Sequence, residues 1–389
     1  MKVLPIQEHP HHSQVCIDCS PLLVRSAGVK TYLYHWLSAL RALDPSVQTF
    51  LEPTSGALRH SAGFTANAPR LAALQFFNHT PASLLDRFAP RCEIFHASNL
   101  LRVFPRRPLL TTTLHDLTAW VTPQFHRRAQ VEADRCFAHR VLHPAAGIIA
   151  VSESTRSDAV RILRIDPEKI HVIYPGVPDH YFESTLDDIR QAADIYALPE
   201  TYFLYIGTIE PRKNIDLLLT AWMSLPQSFR REHELVLAGM PGWDCGQTMN
   251  RLKVLTRENS GVRYPGVRYL SYVPEPLVPS LTAGAMAAVY PSLYEGFGFP
   301  VVQAMAAGCP VITSNVSSLP EVTGSAALLI DPRSEAELAR AITRIAESHG
   351  LRQMLRAEGI RRARMFTWQA AAERSMTFFR DLCGSFPRR

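Results

Sequence analysis

Two doubly wound, parallel-sheet (Rossmann-like) α/β domains facing a central cleft are what this sequence predicts, and three observations carry the prediction. Strand-length apolar runs alternate with helical patterns along nearly all 389 residues, a length that favours two such domains over one. Several runs, Gly147–Val151 and Ala287–Tyr290 among them, are apolar throughout, as expected of parallel strands covered on both faces. The rhythm breaks at Tyr174-Pro-Gly-Val-Pro178, which places a domain boundary near residues 175–200.

In chain order, the first half offers a strand over Gln14–Asp18 and a helix over Val29–Leu43. Strands follow at Ile94–His96, Leu109–Leu114, Gly147–Val151 and His171–Tyr174, with further helices over Arg127–His143 and Glu153–Leu163. Beyond the break, Asp187–Tyr196 reads as an acidic helix. Strands are then expected at Tyr202–Ile206, Glu234–Ala238, Val267–Leu270, Ala287–Tyr290, Pro310–Thr313 and Ala327–Ile330. A closing amphipathic helix takes Thr367 as its N-cap. Two doubly wound sheets that face each other direct the C-terminal ends of their strands at a shared cleft, where ligands of such folds bind.

Composition narrows the function. Hydrophobic residues make up 47% and charged residues 20%, as in ordinary globular proteins, and no stretch reads as a transmembrane helix. The seven cysteines are scattered; the close pair Cys16 and Cys19 lacks a second pair to complete a zinc site. They read as free thiols of a reducing, cytoplasmic chain. His9, His11 and His12 fall in a polar lead-in without a signal peptide's apolar core. Residues 1–180 hold 19 Lys+Arg against 14 Asp+Glu, a net of +5, with the excess between Arg102 and Arg164. Nucleic acid, an anionic membrane surface, a phosphorylated substrate and plain solvation all fit such an excess, but no interleaved stacking aromatics accompany it, which argues against nucleic acid.

The sharpest local signal is a charge-poor tract. The 45 residues between Glu275 and Glu321 contain one charged side chain, Glu295, within Pro291-Ser-Leu-Tyr-Glu-Gly-Phe-Gly-Phe-Pro300. Lone carboxylates are rarely buried unless paired or used. A buried strand, Ala287–Tyr290, should lead into a turn with Gly296 and Gly298, then a helix from about Pro300 whose positive end suits an anion. A helix-capping Glu in a tight loop is the bland alternative. The second signal is Gly207-Thr-Ile-Glu-Pro-Arg-Lys-Asn214, a strand-to-helix loop that projects Arg212 and Lys213. Adjacent cations beside a helix N-terminus suit a diphosphate. Pairing of the two cations with Glu210 is the bland alternative here.

These segments resemble glycosyltransferase family 4, the retaining nucleotide-sugar transferases of GT-B fold. The resemblance continues through Ala304-Met-Ala-Ala-Gly-Cys-Pro-Val-Ile-Thr-Ser314 and Leu319-Pro-Glu-Val322. Weaker echoes are Gly28 with its following helix, Phe95-His96, His115-Asp116, Val151-Ser-Glu-Ser154 and Tyr174-Pro-Gly-Val177. It implies an N-terminal acceptor-side domain over residues 1–180, a nucleotide-sugar domain over 181–366, and a segment 367–389 that crosses back to the first.

The resemblance also implies roles. Glu295 would accept hydrogen bonds from donor-sugar hydroxyls, while Arg212 and Lys213 would neutralise the departing diphosphate without a metal ion. His115 would sit near the sugar, and Asp116 would share the acceptor and phosphate loops with Gly28. Gly207, Thr208, Gly296, Phe297, Gly298 and Gln303 would line the donor site. Two positions depart from the family pattern: Gln303 stands where a second Glu holds the ribose, and Thr208 where many members carry an Arg. No cofactor is expected, since the nucleotide-sugar is a substrate. The run from Tyr205 to Asn214 most resembles bacterial mannosyltransferases of surface-polysaccharide (lipopolysaccharide) assembly, which implies GDP-mannose as the first choice of donor, with other GDP- or UDP-hexoses close behind. The implied acceptor is a glycan or a polyprenyl-diphosphate-linked chain at the inner membrane face. A catalytically silent homologue acting as an assembly partner is the rival reading.

Overall fold

The computed structural model describes residues 15–24, 28–53, 68–256, 258–259, 262–263 and 266–385. His9, His11 and His12 lie outside them. The first sheet contains β1 Val15–Asp18, β2 Gln48–Phe50, β3 Ile94–Ala97, β4 Leu109–Leu114, β5 Gly147–Ala150 and β6 Ile170–Val172, all parallel, in the order β2-β1-β3-β4-β5-β6. The second half supplies β7 Tyr202–Ile206, β8 Glu234–Ala238, a small antiparallel pair β9 Glu258–Asn259 and β10 Val262–Arg263, then β11 Val267–Tyr269, β12 Ala287–Tyr290, β13 Val311–Ser314 and β14 Leu328–Ile330. Its main sheet is parallel and ordered β11-β8-β7-β12-β13-β14. These are two doubly wound sheets, as the continuous apolar runs predict: β5 and β12 are buried along their whole length.

Three local features differ from the expectation. β2 carries no apolar run that marks a strand, because Gln48-Thr-Phe50 is a three-residue edge strand with only Phe50 fully buried. The segment expected as one helix over Arg127–His143 is an α-helix over Arg128–Phe137 followed by a π-helical turn over Ala138–Leu142. That turn buries Ala138, Val141 and Leu142, and His143 N closes it on Ala138 O at 3.0 Å, five residues back, a wider ring that α spacing does not announce. Two further helices, Ala68–Asn78 and Ala82–Phe88, place Leu74, Phe77 and Leu85 against Phe50 and Phe95.

The C-terminal helix Trp368–Ser385 lies on the first-domain helix Gly28–Leu43. The Trp36 indole N–H donates to Ser375 Oγ at 2.9 Å, and Thr367 Oγ1 accepts from Ala370 N at 3.1 Å as an N-cap. Phe378 and Phe379 fill the space beside His171, His96 and Trp36. One apolar cluster therefore runs from Ile17 and Trp36 through Trp368 and Phe379 to Val301 and Ile312.

Candidate active site

In the second sheet the strand order reverses between β7 and β12, so the loops leaving their C-terminal ends open a crevice between them. After β7, a single 3₁₀ turn over Pro211–Lys213 presents Arg212 and Lys213. Asn214 ends that turn with φ 59°, a left-handed conformation that Asn tolerates. Its side-chain amide donates to the carbonyls of Pro291 (3.0 Å) and Pro332 (2.8 Å), and Leu293 N donates to Arg212 O at 2.9 Å. The two loops are thereby tied together through their backbones.

Between them sits Glu295. Its Oε1 accepts from Lys213 Nζ at 2.6 Å and from Ser292 Oγ at 2.8 Å, and its Oε2 from Arg212 at 2.8 Å. Burial pushes the carboxyl upward, but the Arg212 and Lys213 charges outweigh it and bring its pKa down to about 2. The carboxylate is therefore ionised throughout the neutral range. The charge-poor tract does not leave it lone: its partners come from a loop 82 residues away in sequence.

Glu210 completes the group. Its side chain is only 4% exposed, and it accepts from Arg212 at 2.6 Å. Arg212 also donates to Tyr294 O at 2.7 Å. Burial works against its charge, but Glu295, Glu210 and Asp116 together keep the guanidinium ionised. Two carboxylates and two cations thus form a nearly enclosed, formally neutral network. The pairing with Glu210 holds for Arg212 alone, since Lys213 pairs with Glu295 instead. Nothing in their own residue types marks Glu210, Ser292 and Asn214 as site residues, although Glu210 and Asn214 lie in the motif of Arg212 and Ser292 in that of Glu295.

The first domain closes over this network. A Cβ added to Gly296 would fall 1.8 Å from His115 O and 2.8 Å from Asp116 Cβ, so only glycine permits the two loops to meet. The His115 ring packs edge-on against Tyr32 at 4.8 Å, and burial lowers its pKa to about 4, which keeps it neutral. Asp116 folds back, its Oδ1 accepting from Thr118 N (3.1 Å) and Thr118 Oγ1 (2.9 Å). That is an Asp-capped turn at the end of β4.

The other expected residues are placed as follows. Gly298 has φ 93° at the N-cap of the helix Phe299–Ala306, a conformation favouring glycine. Phe297 directs its ring into a cluster with Tyr174, Phe299 and Phe366. Gln303 is half-buried on the same helix. Gly207 opens the β7 loop, and Thr208 O accepts from the Tyr205 hydroxyl at 2.9 Å. Gly28 is exposed at the start of its helix, where a Cβ would meet nothing within 4 Å. Among the described residues, no group of three or more His, Cys, Asp or Glu side chains is arranged to hold a metal ion.

The first sheet reverses its strand order between β1 and β3. Asp18 lies there, buried, accepting from the backbone and hydroxyl groups of both Ser20 and Ser98. His96 bridges Thr111 Oγ1 (2.9 Å) and Thr113 Oγ1 (3.0 Å) beside it. Asp18, His96, Ser98, Asn99 and His115 line a small cavity there.

Residues 188–362 match the family described as Glycosyl transferases group 1, and residues 26–181 match Glycosyltransferase Family 4. The Escherichia coli O-antigen chain mannosyltransferase B is 33% identical over 291 residues, 74% of this chain and 74% of that protein. The chain belongs to glycosyltransferase family 4. It is a glycosyltransferase of GT-B fold. Sucrose-phosphate synthase from Thermosynechococcus elongatus superposes with a TM-score of 0.72 at 21% identity, covering 96% of this chain and 100% of that one. The Anabaena protein HepE, in complex with UDP and glucose, does so with a TM-score of 0.72 at 17% identity, covering 95% and 100%. At those identities the two structures speak to the fold alone.

Proposed function

We propose that this glycosyltransferase moves mannose from GDP-mannose, with retention at the anomeric carbon, to a glycan or polyprenyl-diphosphate-linked acceptor in surface-polysaccharide assembly. The observation that carries the reading is the ionised Glu295 held between Lys213 and Arg212 at the β7/β12 crevice, beneath the His115 loop. A carboxylate there accepts sugar hydroxyls, and an adjacent cation meets the charge that grows on a leaving diphosphate. Among the described residues Lys213 has one carboxylate partner, Glu295, so an entering diphosphate competes with that carboxylate for the ammonium. The name of the E. coli relative supports mannose and the O-antigen setting. The protein cations support a reaction without a divalent metal.

The expected result with purified protein is an α-mannosyl product from GDP-mannose, formed in EDTA. A β-linked product would exclude retention, strict dependence on Mg²⁺ or Mn²⁺ would exclude the charge argument, and turnover only with another GDP- or UDP-hexose would replace the donor. Glu295→Ala is expected to cost about 2–4 kcal/mol of transition-state stabilisation. Near-normal turnover by a folded variant would remove Glu295 from the site. A second reading, a silent assembly partner, draws on Thr208, Gln303 and the engagement of Arg212 by two carboxylates. Absence of donor hydrolysis and transfer across the whole donor screen would favour it.

We also propose peripheral attachment to the cytoplasmic face of an anionic membrane. No helix among the described residues is long and apolar enough to cross one. Phe76 and Phe88 are 52% and 59% exposed on two helices to which the Arg102–Arg107 segment is tied, through Arg102 N to Asn78 (2.7 Å) and Arg106 N to Asp86 (2.8 Å). Protruding rings beside exposed arginines suit an anionic interface. Binding to anionic vesicles that fades with salt and is weakened by Arg106→Ala/Arg107→Ala is expected. Equal binding to neutral vesicles would leave a solvated basic face.

A further inference from the structure

Three sequence segments that carried no role, Val151-Ser-Glu-Ser154, Tyr174-Pro-Gly-Val177 and Leu319-Pro-Glu-Val322, converge on one contact between the domains. The first-domain helix Glu153–Leu163 begins at the N-cap Ser152, and its first amides lack partners within the helix. Ser152 Oγ takes the third, Thr155 N, at 3.0 Å. The first two are taken by the other domain: Glu321 accepts from Glu153 N at 2.7 Å and from Ser154 N at 3.1 Å. The Tyr174 hydroxyl donates to the same carboxylate at 2.7 Å. A carboxylate on helix amides is a charge-assisted pair aided by the helix dipole. Arg362 fixes the segment from behind, donating to Glu321 O (2.6 Å) and Val322 O (2.9 Å).

The same helix grips both neighbours of Glu295. Ser152 Oγ and Thr155 Oγ1 donate to Gly296 O at 2.6 and 3.1 Å, and Asp158 Oδ2 accepts from the Tyr294 hydroxyl at 2.9 Å. Residues 294 and 296 are thus held from the first domain, while the carboxylate between them is held from the second.

We propose that Glu321 is a positioning residue: it docks the Glu153–Leu163 helix onto the second domain, and the docked helix sets the backbone on either side of Glu295 only when the cleft is closed. It rests on the reading of Glu295 as the sugar-facing carboxylate. Closing then couples domain approach to the geometry of that group. With the contact broken, the two helix amides and the carboxylate return to water and the Glu295 loop loses its outer support.

The test compares full-length parent, Glu321→Ala, Glu321→Gln and Tyr174→Phe. Small-angle X-ray scattering without nucleotide is expected to give a larger radius of gyration for Glu321→Ala than for the parent, with Glu321→Gln and Tyr174→Phe between. Calorimetry with GDP and with UDP is expected to show nucleotide affinity within about twofold of the parent, whichever binds, because the crevice of the second domain is untouched. Turnover should fall roughly tenfold to a hundredfold with little change in donor KM, and Gln should recover part of it. A parental radius of gyration in Glu321→Ala overturns the proposal, as does parental turnover, or a loss of nucleotide affinity matching the loss of turnover. If Glu295→Ala remains active, the donor-site reading fails while the scattering comparison still decides whether Glu321 holds the domains together.

Discussion

The two points at which the sheets reverse their strand order are built from different chemistry. At β7/β12, four charged groups are linked in the chain Glu210–Arg212–Glu295–Lys213, each hydrogen-bonded to the next. At β1/β3, the polar groups are one carboxylate, Asp18, wrapped by serine donors, and a histidine that burial holds neutral, its pKa lowered to about 3. A crevice with paired charges suits a ligand that is itself charged, since an arriving anion can exchange with Glu295 for Lys213. A crevice with one hydrogen-bonded carboxylate and a neutral imidazole, and no cation paired to either among the described residues, suits hydroxyl groups. One doubly wound architecture, used twice, has been specialised by the residues at the strand ends.

That contrast can be broken first at Arg212. Arg212→Ala leaves Glu210 buried without its guanidinium and takes one of two cations from Glu295, a loss expected to cost about 3–5 kcal/mol. Lys213→Ala leaves Glu295 with Arg212 and Ser292 and is expected to cost only about 1–2 kcal/mol. Urea unfolding of the two variants checks this, and equal losses would mean that the network is not organised around Arg212. Both variants should turn over more slowly, and the double variant should lose less than the sum because the two cations act on one group.

A smaller effect sharpens the other side. His96 has an ordinary pKa near 6.5 when unfolded and about 3 when folded, because burial disfavours its charge. Between those values the unfolded chain binds the extra proton, so stability falls as pH falls below about 6.5, by at most about 1.4 kcal/mol per pH unit for this residue. His96→Gln should flatten the dependence between pH 6.5 and 5 by about 2 kcal/mol. An unchanged profile would show that His96 is not held neutral.

The smallest effect belongs to Gln303. Gln303→Ala is expected to weaken donor binding by about 1 kcal/mol with little change in turnover of the bound complex, and Gln303→Glu to bind as well or better. Isothermal titration with the donor nucleotide distinguishes these outcomes. Unchanged affinity in Gln303→Ala would turn this helix away from the nucleotide.

The sequence by itself determined the elements whose signal is local. The strands Leu109–Leu114, Tyr202–Ile206 and Ala287–Tyr290 and the helix Glu153–Leu163 lie where apolar runs and helical spacing put them, because burial on two faces or on one stripe writes itself into consecutive residues. The loops bearing Arg212, Lys213 and Glu295 were legible for the same reason, being the polar breaks at the ends of apolar strands. Only the tertiary structure decided how those loops combine. Glu295 stands alone in its tract, yet it is paired, because β7 and β12 are neighbours in space though more than 80 residues apart. Glu321 looks like an unremarkable acid after a proline, yet it closes the end of a helix in the other domain. Hydrogen bonds and ion pairs act over about 3 Å, a range set by the folded arrangement rather than by sequence separation.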